Sequence, residues 1–327
     1  MNSKILTVYI LTYNRPDYLA QCLSSIENQI FKDFNVVVLD NASEKDGRYL
    51  LEKFPSLSIE YIKHPSNLGS VGNIEYALRH KSGTKYKILF HDDDLMHPSL
   101  LAEEVKFLEF DPRVTWVGTA LQPFFGIPGP FKKFNTFDHL VLSKNEIAIK
   151  LMKGAPLAFC SVMYRADQIL MENFASLIDR CSIIFDRPFL LDQLKGGLAG
   201  YIPQELVTYR QHANQDSHTG PLQEDNLIAL AQAYRAAFEE NWTKAQSNFF
   251  YSWTGFELRD SFFRLAPSKR KNLNIFLGKA VQKGVYDPAF SLAYPIGLLK
   301  RQLARATRVL PKVRERLRNG LAQVNEQ

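Results

Sequence analysis

Short β-branched runs alternate with helical spacing over the first 120 residues of this chain. Residues 8–11, 36–39, 59–62, 86–90 and 114–118 read as strands. After the first of them, Pro16 suits the opening turn of a helix whose Leu19, Leu23 and Ile26 share one face. Residues 71–78 and 99–110 read as two more helices. The run Val36-Val37-Val38-Leu39 is apolar throughout, as a parallel strand covered on both faces must be. This alternation predicts a parallel sheet with helices on both sides, and in such sheets ligands bind beyond the carboxyl ends of the strands.

The remainder is less regular. Residues 121–135 look like a loop, from Gly126, Pro128, Gly129 and Pro130. The stretch 145–212 is mixed, 214–221 is a polar linker, and 223–327 reads as almost entirely helical. A hydrophobic share of 46% with 23% charged residues is that of a soluble globular chain. No apolar run reaches bilayer length, and the N-terminus carries no recognisable signal peptide. Cys22, Cys160 and Cys181 lack metal-type spacing and fit a reducing cytoplasm. The net charge of +6 sits in the tail: from Lys300 to Arg318 eight basic residues face only Glu315, which is +7. The rest is near neutral, so no nucleic-acid partner is expected.

At the strand ends stand Thr12-Tyr13-Asn14, Asp40-Asn41, Asn67-Leu68-Gly69 and His91-Asp92-Asp93-Asp94. Three adjacent aspartates repel one another unless a cation neutralises them. Oxygen ligands of this kind suit Mg²⁺ or Mn²⁺ held partly by substrate phosphates, where the ion would offset charge on a departing diphosphate. The plainer alternative is a solvated turn before the helix that Pro98 and Ser99 open. Asp40 at a neighbouring strand end favours the cation site.

The segments TVYILTYNRPDYLAQCL (7–23), VLDNAS (38–43), NLGSVGN (67–73) and ILFHDDDLMHP (88–98) resemble, in order and spacing, the nucleotide-binding motifs of glycosyltransferase family 2. The likeness extends over about residues 5–215. It implies an α/β chain with the A-type glycosyltransferase fold: a mostly parallel, Rossmann-like sheet flanked by helices, with a C-terminal helical region. Residues 1–120 would be the nucleotide-sugar-binding half, 121–220 the acceptor-binding and catalytic half, and 221–327 a helical region ending in a basic amphipathic tail. Donor-binding residues would be Thr12, Tyr13, Asn14, Asp40, Asn67, Gly69, Asn73, Asp92 and Asp93. Of these, Asp40 would hold the nucleobase, usually uracil, and Asp92 the ribose. Asp93, Asp94 and His212, the last in the Tyr209-Arg210-Gln211-His212 segment, would bind the metal.

The resemblance also implies a general base at an acidic residue opening a helix. Asp186 fits, with Asp192 as second choice; the alternative for Asp186 is a helix N-terminal acid favoured by the dipole. A carboxylate there takes the acceptor hydroxyl's proton as that oxygen attacks the anomeric carbon opposite the diphosphate, inverting its configuration. This chain departs from the pattern in having His91 where many relatives have Asp, and Phe185 where Glu is usual. The expected donor is a UDP-sugar, with dTDP-rhamnose second. The expected acceptor is a glycan or lipid-linked glycan of bacterial surface polysaccharide.

His212 has a purely structural alternative, Lys132 and Lys133 an alternative as solvated loop residues, and the aromatic residues from Phe249 to Phe263 an expected place in helical core. The competing functions are a two-metal phosphohydrolase and a catalytically silent nucleotide- or glycan-binding subunit. No Gly-x-Gly-x-x-Gly follows the first strand, which argues against a NAD enzyme.

In the tail, Leu299, Leu303, Ala306, Leu310, Val313 and Leu317 share one helical face, and Arg301, Arg305, Arg308, Lys312 and Arg316 the other, with a kink at Pro311. Residues 296–320 therefore fit an in-plane membrane helix at the inner face of the plasma membrane, or alternatively packing on the catalytic region or a second subunit.

Overall fold

In the computed structural model, strand β1 (Leu6–Thr12) is buried at every residue and lies between two parallel neighbours. The structure describes residues 4–212, 223–238, 242–265 and 273–288. β2 (Phe34–Asp40) and β4 (Tyr86–His91) flank β1, and β3 (Ile59–Lys63) lies outside β2. The apolar content of β1, β2 and β4 is explained by helices on their faces. Helix α1 (Pro16–Glu27) buries Leu19, Cys22, Leu23 and Ile26, and α2 (Gly69–Arg79) buries Ile74, Ala77 and Leu78. A 3-10 segment, Gly47–Lys53, went unread in the sequence.

The order along the sheet is β3-β2-β1-β4-β8-β6-β9-β5, with β7 (Leu140–Leu142) paired to β9 off that path. The longest pairings are parallel, whereas β8 (Leu157–Arg165) runs antiparallel to both β4 and β6 (Val114–Phe124). β6 continues to Phe124, into the segment expected to be loop, because residues from Leu121 to Phe124 pair with β9 (Leu198–Arg210). Register shifts bend this pair. The far end of β9 also pairs with the two-residue β5 (Leu95–Met96), directly after the aspartate turn. That pairing brings Arg210 and His212 to a turn more than a hundred residues earlier.

The mixed stretch before β9 contains α4 (Lys144–Met152), closed by a Ser143–Glu146 capping box, then α5 (Phe174–Cys181) and α6 (Asp186–Asp192). Helix α3 (Leu100–Phe110) lies between β5 and β6. The chain forms two compact units, Met1–Glu239 and Glu240–Gln327, so neither expected boundary, after 120 or after 220, separates them. β6 crosses the first. Helix α7 (Glu224–Ala237) lies beyond the second but belongs to the first unit: Asn226 donates to the Arg180 carbonyl at 2.8 Å, and Arg187 to the Tyr234 hydroxyl at 3.4 Å. The second unit contains α8 (Lys244–Leu265) and α9 (Leu273–Gln282). There Phe250, Trp253, Phe262 and Phe276 are buried, as helical core requires. The expected linker at 214–221 and the basic tail at 296–320 lie outside the described residues.

Candidate active site

Register aligns the carboxyl ends of three strands. Thr12 is paired with Asp40 and Leu11 with His91, so the turns after β1, β2 and β4 meet along one edge. They open on a cavity of about 590 Å³, a size ordinary for a small-molecule site. Thr12, Tyr13, Asn67, Gly69, Asn73, Asp92 and Asp93 all line it, and Asp186 lines it from α6. Phe159, Phe185 and Ile183 form an apolar wall.

The turn after β1 is set by its backbone. Asn14 takes a positive φ of 54°, which asparagine tolerates better than most residues. Its N–H donates to Ser43 Oγ and its Oδ1 accepts from the Glu44 N–H, both at 2.8 Å, which ties the β1 and β2 turns together. Asn41 likewise holds the loop before α2. It donates to Asn67 Oδ1 at 2.9 Å and to the Gly69 carbonyl at 3.1 Å, and accepts from the Leu68 N–H at 2.8 Å. Gly69 has φ +73°, where a side chain would be strained. Asn73 is buried and bonded to His64 and to the Leu39 carbonyl.

Asp40 is fully buried. One of its oxygens accepts from the Ser43 N–H at 2.7 Å and the other from the Tyr61 hydroxyl. In this state its carboxylate braces the β2 turn rather than lining the cavity. The reason is that Ala42, at φ 64°, folds the chain back over it.

The three aspartates separate in role. Asp92 accepts from Thr12 Oγ1 at 2.7 Å, and burial together with the neighbouring Asp93 raises its pKa to about 7. Asp93 Oδ2 meets Arg15 Nη1 at 3.0 Å and His212 Nε2 at 2.9 Å. Asp94, expected to join Asp93 on a metal, turns the other way. It is absent from the cavity wall; its Oδ1 accepts from the Arg210 N–H at 2.9 Å and its Oδ2 from the Cys160 thiol at 3.1 Å. Burial and Asp93 push its pKa well above the carboxylate range. His91, Asp94 and Cys160 place one ligand-type atom each within 4.8 Å of one another. Arg210 fastens the whole turn, donating to the Asp93 carbonyl, Gln21 and the Gly126 carbonyl while its guanidinium lies over Tyr18 and Phe124.

A raised acid pKa means that the folded state binds the proton more tightly than the unfolded one. Stability of the ligand-free protein therefore falls as pH rises from the ordinary value to about 7, by at most about 4 kcal/mol. Asp92→Asn removes that titration. Its melting temperature should exceed wild type at about pH 8 and converge toward it at about pH 5. Parallel melting curves across that range would contradict the burial argument.

Asp192 is held by Asn173, whose Nδ2 lies 3.2 Å from both of its oxygens, and it does not line the cavity. Lys132 pairs with Glu205 on the surface, away from the cavity wall. Sequence reasoning passed over Arg15, Asn41 and Cys160. For Arg15 a signal existed: a cation at the N-terminus of α1 opposes the helix dipole and needs an anion nearby.

The profile of the family described as glycosyl transferase family 2 matches residues 7–165, from β1 through β8. The chain belongs to that family. This glycosyltransferase is 26% identical over 222 residues to an uncharacterized glycosyltransferase of Haemophilus influenzae, spanning 66% of this chain and 68% of the other. It is 26% identical over 231 residues to the putative glycosyltransferase EpsE of Bacillus subtilis, 68% of this chain and 79% of that one. Among solved structures, residues 1–349 of S. aureus TarS in complex with UDP-GlcNAc align with a TM-score of 0.60 at 16% identity, over 85% of this chain and 81% of that one. The A-type fold, with its central sheet flanked by helices and its C-terminal helices, is thus common to both.

Proposed function

We propose that this glycosyltransferase is metal-dependent and inverting, and that it moves a sugar from a nucleotide-sugar to a hydroxyl of a glycan or lipid-linked glycan. The observation that carries this reading is Asp186 on the wall of the same cavity as Thr12, Asn67, Asp92 and Asp93. One carboxylate thus faces the nucleotide-type loops from the opposite half of the fold. Tyr13, 43% exposed where it borders the cavity, offers a ring face on which a nucleobase can stack. A UDP-sugar is the favoured donor, since the TarS fold neighbour was solved with UDP-GlcNAc.

The donor set fits a hard divalent ion, because the Asp93 carboxylate and the His212 imidazole converge at 2.9 Å. When bound there, Mn²⁺ or Mg²⁺ supplies charge neutralisation to the departing diphosphate. Asp94 is left out of this proposed set, its oxygens being taken by Arg210 and Cys160. Asp186 acts on the acceptor: its carboxylate receives the hydroxyl proton as that oxygen attacks the anomeric carbon. The apolar wall of Phe159, Phe185 and Ile183 excludes water from that side of the cavity.

Incubation with a panel of nucleotide-sugars, Mn²⁺ and glycan acceptors tests the reading. Acceptor-stimulated release of UDP is expected. Release of phosphate from nucleotides without sugar transfer would replace the reading with a phosphohydrolase, and binding without turnover with a silent subunit.

The basic tail supports a further proposal, that the enzyme docks on anionic membrane at the cytoplasmic face. The full chain should sediment with anionic but not neutral vesicles at low salt, and a chain ending at Pro295 should lose this. A full chain that stays in the supernatant would assign the tail to packing or assembly.

A further inference from the structure

Arg15 occupies an unusual place. It caps the N-terminus of α1 without any side-chain cap bond, where a cation opposes the helix dipole. The positive φ of Asn14 turns the chain just before it, and Pro16 fixes the helix just after. What its guanidinium meets is the aspartate turn: Nη1 lies 3.0 Å from Asp93 Oδ2 and 3.5 Å from Asp92 Oδ1. The side chain of Arg15 is 29% exposed while those of Asp92 and Asp93 are 3% and 9% exposed, so it closes the carboxylates off from solvent. It also borders the cavity. The oxygen it holds on Asp93 is the one that His212 holds.

From this geometry we infer that Arg15 is the resident cation of the empty site and makes metal binding depend on the donor. This rests on the metal-dependent reading given above. A divalent ion arriving alone must break the Arg15 pair on Asp93 and leave the guanidinium without an anion. Arriving with a nucleoside diphosphate, the ion brings a new partner for it. Arg15 then turns from the carboxylates to the diphosphate oxygens, for which its planar fork is suited. The exchange keeps the buried carboxylates neutralised at every stage, which a site of adjacent aspartates requires. It also accounts for a cation at the start of α1.

The test measures Mn²⁺ affinity by electron paramagnetic resonance or calorimetry, with and without UDP, for wild type, Arg15→Met and Arg15→Lys. Wild type should bind Mn²⁺ weakly alone and much more tightly with UDP. Arg15→Met should bind Mn²⁺ alone about tenfold more tightly or better, since the competing charged contact is gone. Its gain in Mn²⁺ affinity from UDP should shrink, because the released guanidinium no longer meets the diphosphate. Arg15→Lys should lie between, keeping the charge and losing the fork. Unchanged or weaker Mn²⁺ binding by Arg15→Met, with the UDP effect preserved, would overturn the inference while leaving a metal-dependent enzyme. Absence of Mn²⁺ binding by all three proteins, with UDP present, would overturn the metal-dependent reading and this inference together. Failure of both variants to fold would make Arg15 a structural residue, which also overturns it.

Discussion

Asp186→Asn is expected to lower turnover by about 10²–10⁴-fold, the usual contribution of a positioned general base. Affinity for UDP should stay near wild type, since the base acts on the acceptor and α6 contributes none of the nucleotide-type loops. The geometry also separates the two carboxylates of that helix. Asp186 borders the cavity, whereas Asp192 at the other end is held by Asn173. Asp192→Asn should therefore leave turnover close to wild type. Phe185, in the position where glutamate is usual in the family, is buried against Phe159, Phe174 and Phe189. That leaves Asp186 as the acidic residue at the start of α6. Steady-state kinetics with UDP release, paired with calorimetric UDP titration, check both variants. Normal turnover by Asp186→Asn together with loss in Asp192→Asn would reverse the assignment.

Asp93→Asn should cost about 10²–10³-fold in turnover, the order found when a group stabilising transition-state charge is removed. Unlike Asp186→Asn, it should also weaken UDP binding in Mn²⁺, because Asp93 is where His212 and Arg15 converge. The fold should survive, since one charge of a crowded trio disappears while the Asp93 backbone carbonyl keeps its bond from Arg210. Circular dichroism and a melting curve separate this from unfolding. An active Asp93→Asn protein, or full wild-type turnover in excess chelator, would remove the metal from the account.

The first 120 residues were readable because each strand is a buried apolar run and each helix shows its face in local spacing. Strand β8 was not, since Leu157–Arg165 mixes Cys160, Ser161 and Arg165 with apolar residues and owes its place to two antiparallel partners. The extension of β6 to Phe124 is of the same kind: Gln122 and Pro123 argue locally for a loop, and only pairing with β9 makes them strand. At the site, local motifs named the lining residues well. They could not show which way a side chain turns. Asp93 and Asp94 are adjacent in sequence, yet one faces the cavity with His212 and the other faces Cys160 and Arg210. Asp40 shows the same limit, its oxygens taken by Ser43 and Tyr61 from the turn and the next strand. Such contacts are tertiary facts, and sequence spacing carries no sign of them.

The central claim is sugar transfer with inversion from a nucleotide-sugar, and proton nuclear magnetic resonance of the reaction reads both parts in one spectrum. With Mn²⁺, an α-linked UDP-sugar and its acceptor, the account predicts that the donor's anomeric signal decays while a β-linked product signal grows in step with UDP. An α-linked product, or a free sugar appearing without any glycosidic product, would contradict it.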